Sequence, residues 1–86
     1  MDKKLEQKIN EKIQQTITNI SEVNAIVKSL GHADTQDFKY GIIIGRLYNS
    51  FYYQSHRILK RDPTQKEFSE FLEILSKQKD NLMKRL

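Results

Sequence analysis

Two histidines, three evenly spaced glutamates and a row of cations are the side chains here whose types suit chemistry. A hydrolytic or metal site needs imidazoles or paired carboxylates that converge on one point. His32 stands directly after Gly31, in a turn where it can meet helix-end carbonyls, and His56 falls at the edge of a helix face. Neither has a carboxylate at the spacing of a helical di-metal motif, so no metal site is expected. Glu67, Glu70 and Glu73 recur every third residue. Acids at the start of a helix suit its dipole, and neighbouring Lys66 and Lys77 suggest surface ion pairs rather than acid–base work. Ser76-Lys77-Gln78-Lys79 fits a Ser-x-x-Lys pattern but lacks the companion motifs that give it meaning. With no cysteine, thiolate ligands, thiol nucleophiles and disulfides are excluded. The expectation is a protein that is not an enzyme, with no catalytic residue, no metal and no cofactor.

The cations carry more information. Net charge is +4 over 86 residues, yet residues 1–34 and 62–86 each balance to zero. Residues 35–61 hold Lys39, Arg46, Arg57, Lys60 and Arg61 against a single acid, Asp37. On a helix advancing 100° per residue, those five cations share one face of roughly 120° with Tyr53. Cations with an interleaved ring can grip phosphates and stack a base, so Lys39, Arg46, Tyr53, Arg57, Lys60 and Arg61 form a candidate binding face for nucleic acid. An acidic protein surface would suit the same residues. An ordinary solvated face would look the same, since cations near a helix C-terminus are favoured by the dipole.

Placing these residues requires helices, and the punctuation for three is present. Ile9, Ile13, Thr16, Ile20, Val23, Val27 and Leu30 recur at steps of three and four, a heptad seam with one polar intrusion. This predicts a first helix over about 2–30, stopped by Gly31. Asp34 stands where a cap for the next helix belongs. The second helix is expected over about 35–61, ended by Pro63 and its effect on Asp62. Thr64-Gln65-Lys66-Glu67 has the pattern of a capping box, with Asp62 as the alternative cap, and opens a third helix to about residue 85. Its stripe is Phe68, Phe71, Leu72, Leu75 and Leu82. Short connections imply neighbouring antiparallel helices. The expected fold is all-α: one domain over 1–86, a three-helix antiparallel bundle that self-associates.

The second helix is unusual because its apolar arc, from Leu47 through Phe51, Ile44, Tyr48, Gly41 and Tyr52 to Gly45, covers roughly 180°. Surface helices usually show a stripe nearer 100°. Such an arc demands cover on two sides, from the other helices or from a second copy. Gly41 and Gly45, one turn apart within it, each cost helix propensity and so mark a place where another backbone comes close. Gly41, Ile44, Gly45, Tyr48, Phe51 and Tyr52 are the candidate packing or dimer contact. No apolar run approaches the ~20 residues of a spanning helix, and Met1-Asp2-Lys3-Lys4-Leu5-Glu6 has no apolar segment of the kind a secretion signal needs, so none is expected. A basic, cytoplasmic, homodimeric helical module for protein–protein interaction is the leading expectation, with nucleic-acid binding as the alternative, and no membrane or small-molecule partner.

Overall fold

A computed structural model describes residues 1–31 and 35–86. Its elements are α1 (Lys3–Thr18), α2 (Ile20–Leu30), α3 (Gln36–Leu59) and α4 (Gln65–Met83), with no strand among the described residues. The all-helical expectation holds, but the helix count is four because the first predicted helix is divided at Asn19.

The division has a local cause. Thr16-Ile17-Thr18-Asn19-Ile20 strings together β-branched residues and asparagine, all weak helix formers. The Thr16 and Thr18 hydroxyls donate back to the carbonyls of Lys12 and Gln14 at 2.8 and 2.9 Å, a pattern that bends helices. Asn19 then leaves helical geometry (φ −100°, ψ 30°) while its N–H still reaches the Gln15 carbonyl. Of the expected seam, Ile9, Ile13, Thr16, Val23 and Val27 are buried, Ile20 is half-buried, and Leu30, the last seam residue, is 58% exposed.

The helix ends follow side-chain chemistry. Asp2 caps α1 by accepting from the Leu5 N–H. Gly31 closes α2 in the left-handed conformation that glycine adopts cheaply (φ 67°). Asp34 and His32 lie outside the described residues; α3 begins one residue later than expected, capped by Thr35, whose hydroxyl accepts from the Phe38 N–H. It also ends two residues early. Lys60 takes a left-handed turn (φ 60°) and its N–H bonds the His56 carbonyl, so the helix stops before Pro63 is reached. The capping box on α4 forms as expected: Glu67 N–H donates to the Thr64 hydroxyl, and the Glu67 carboxylate accepts from the Thr64 N–H.

Helix α3 is the hub, and α1, α2 and α4 each pack on it. One apolar cluster joins Leu5, Ile9, Ile13 and Ile17 of α1, Val23 of α2, Ile43, Leu47 and Phe51 of α3, and Phe71, Leu75 and Leu82 of α4. At its centre the Phe51 and Phe71 rings stack with centroids 4.4 Å apart. The assembly measures 38 × 22 × 21 Å.

Candidate interaction site

The buried side of α3 is not the one its hydropathy indicated. Lys39, Ile43, Leu47, Phe51, Gln54 and Ser55 are buried. Setting Lys39 at zero, they span roughly 0–160°, whereas the apolar arc read from sequence spans roughly 80–260°. The helix is therefore turned about a quarter of a revolution from expectation. Lysine and glutamine have apolar stems that pack well while their polar ends find partners, which hides such positions from a hydropathy reading.

This rotation divides the candidate basic face. Lys39 is only 8% exposed and is removed from it. Arg46 is exposed but reaches across to Glu22 of α2 at 3.3 Å. Arg61 grips both oxygens of Glu67, at 2.7 and 3.2 Å. That fork, first, and then the Thr64 N–H, holds the Glu67 carboxyl at about 2, below its ordinary 4.5. Of the expected set, Tyr53, Arg57 and Lys60 remain outward, Tyr53 at 64% exposure. The sequence reading missed that Lys3 and Lys4 at the start of α1 flank the same open cleft as Arg57 and Lys60, with Asp2 the one acid among them. Long-range pairing of two helix ends leaves no mark in local spacing.

The other consequence of the rotation lies on the opposite edge. Phe51 is fully buried, but Tyr48 and Tyr52 are 46% and 37% exposed, and Leu72 of α4 beside them is 47% exposed. Gly41 and Gly45, in the turns of α3 before them, are exposed too, and a Cβ added at either would meet nothing within 4 Å. Of the candidate contact residues, then, Phe51 serves the core, Ile44 is half-buried, and Gly41, Gly45, Tyr48 and Tyr52 form one open edge. The glycines do not admit another helix of the same chain.

That edge is ordered by its rings. Tyr48 and Tyr52 meet edge to face with centroids 5.3 Å apart, and Tyr48 leans on Phe68 of α4 at 6.2 Å. The adjacent Tyr48 phenol pushes that of Tyr52 above its ordinary value, chiefly through hydrogen bonding. Between α3 and α4 runs an apolar groove of about 200 Å³, bounded by Ile44, Gly45, Tyr48, Phe68 and Leu72 and floored by Phe71 and Leu75. No polar atom lines its open surface.

No set of three or more metal-binding side chains converges among the described residues. Glu67 is committed to its cap, and Glu70 receives the Met1 amine. His56 faces Asp62 on the surface. Among the described residues no helix is long and apolar enough to cross a membrane. No protein-family model, curated protein or solved structure matches the chain.

Proposed function

We propose that this chain is a non-catalytic interaction module that works by self-association, an antiparallel helical bundle forming homodimers in the cytoplasm. One observation carries the reading: Tyr48, Tyr52 and Leu72 stand exposed side by side along an apolar groove, on an edge that includes two uncovered glycines. Single exposed apolar residues are ordinary, whereas a contiguous patch of several hundred Å² marks a binding surface. From the exposed fractions of the two tyrosines, Leu72 and the half-buried Ile44 and Phe68, the patch amounts to roughly 400 Å². Adding a polar rim brings a dimer to the lower bound of specific interfaces, near ~1,000 Å² in total. An interface at that lower bound fits weak association, for which high micromolar concentration is the range to examine.

Sedimentation equilibrium tests this. A 10.2 kDa chain should approach twice its mass as concentration rises to several hundred micromolar. Tyr52→Ser should shift it back to monomer, and Tyr53→Ser, about 100° further round the same helix and off the patch, should not. A strict monomer throughout the range refutes the proposal.

A second reading is supported by the cleft that gathers Lys3, Lys4, Arg57 and Lys60: an anionic partner, nucleic acid first among them. Four phosphate contacts predict a log–log salt slope near −3.6 for duplex DNA, losing about one unit in Arg57→Ala. Salt-independent binding, or none, rejects this reading.

A further inference from the structure

We infer that the open edge of α3 docks on its own copy in an antiparallel, two-fold register that sets each glycine against a tyrosine. The inference rests on the self-association proposed above and specifies its geometry.

Gly41, Gly45, Tyr48 and Tyr52 follow one another at intervals of four, three and four residues. This spacing reads the same in both directions, with the two small residues in one half and the two large ones in the other. Let a dyad pass midway between Gly45 and Tyr48, with two α3 helices crossing antiparallel. Gly45 then lies level with Tyr48 of the second copy, and Gly41 with its Tyr52. Small positions receive large ones at both places, and the two-fold repeats the fit on the other side, as a self-complementary interface requires. A parallel pairing would set glycine against glycine and tyrosine against tyrosine, leaving a void at one end and a collision at the other.

The structure supplies both halves of this fit. The glycines are hollows, since nothing lies within 4 Å of a Cβ built on either. The tyrosines are knobs, 46% and 37% exposed, packed on each other, with Tyr48 also against Phe68 and Tyr52 against Phe51. Leu72 lines the same groove as Gly45 and Tyr48, so it sits at the level of the dyad. A two-fold perpendicular to the plane of the paired helices keeps α4 of both copies on one side, where the two Leu72 side chains close the seam. Glycine at the crossing allows the backbones to approach at the short end of the 8–10 Å range for packed helices.

Because the chain has no cysteine, a single introduced thiol can carry a spin label. Asp37 and His56 are both exposed, and they lie eight residues before Gly45 and eight after Tyr48. The register therefore puts each about 14 Å along the helix from the dyad. Dipolar spectroscopy on Asp37→Cys and on His56→Cys, each labelled in the full chain, should give the same separation of about 30 Å in the dimer. A dyad displaced by one helical turn would lengthen one distance and shorten the other, making them differ by roughly 20 Å. Two short distances near 10 Å would mean parallel helices. Either result overturns the register while leaving self-association standing. A chain that stays monomeric by mass, and shows no dipolar coupling at several hundred micromolar, overturns both. Equal distances near 30 Å, abolished by Tyr52→Ser, support the inference.

Discussion

Replacing Gly41 and Gly45 together by alanine should make the isolated chain more stable and its self-association weaker. Inside a solvated helix each glycine costs about 1 kcal/mol relative to alanine, through the backbone freedom it loses on folding. Against that gain stands any steric penalty, and here there is none, because neither added Cβ has a heavy atom within 4 Å. Each substitution acts on the backbone freedom of its own residue, so the pair should gain about 2 kcal/mol. For a domain of this length that corresponds to a rise in Tm of roughly 8–16 °C. The measurement belongs at low micromolar concentration, where the monomer dominates, using urea unfolding with the slope held as a control. A higher midpoint at unchanged slope reports stability alone. Sedimentation of the same variant at several hundred micromolar should then show a larger monomer fraction, because a methyl group now occupies each hollow. An unchanged or lower midpoint in dilute solution would refute the reasoning, since it would mean that these glycines do not lie on open helix surface. A gain in stability with self-association unchanged would leave the helix argument standing and remove the glycines from the interface.

Acid should unfold the protein partly through Glu67. Its carboxyl titrates at about 2 in the folded chain against an ordinary 4.5, so its stabilising contribution is complete above about pH 4.5 and is lost as pH falls toward 2. Glu67→Gln, which keeps the cap hydrogen bond, should flatten the stability–pH curve in that window. A curve of unchanged steepness would show that the Arg61 fork contributes little. Thr64→Ala, which removes the hydroxyl that caps α4, should cost about 1 kcal/mol in urea unfolding at neutral pH. Lys60→Gly should instead stabilise by about 1 kcal/mol, by relieving a left-handed backbone at a residue with a Cβ. A loss there would assign greater weight to the Lys60 ammonium's bond to the Arg57 carbonyl, 2.9 Å long.

The parts of this fold legible in the sequence are those determined within a few residues. Gly31 as a helix stop and the Thr64–Glu67 box depend on local chemistry and form as their residues dictate, whereas the α4 stripe holds only in part: Phe71, Leu75 and Leu82 are buried and Leu72 is exposed. The break at Asn19 was legible in principle, but the strong three-four periodicity on either side outweighed a short run of poor helix formers. Which face of α3 turns inward is a different kind of question. It is decided by how α1, α2 and α4 pack around the helix, and Lys39 and Gln54 fall on the covered side, the Gln54 carbonyl accepting from Arg57 of the same helix. Hydropathy counts a lysine as surface and a tyrosine as core, and at Lys39, Tyr48 and Tyr52 these assignments fail. The sequence did hold the evidence of the failure, in the two glycines. A helix interior normally avoids glycine, and departures from local preference concentrate where something other than folding is served. Among the described residues no neighbouring helix exploits the space at Gly41 and Gly45, so their folding cost remains without an internal return. The proposed dimer would set a second copy of the chain against this edge, where two such costs lie beside two exposed rings.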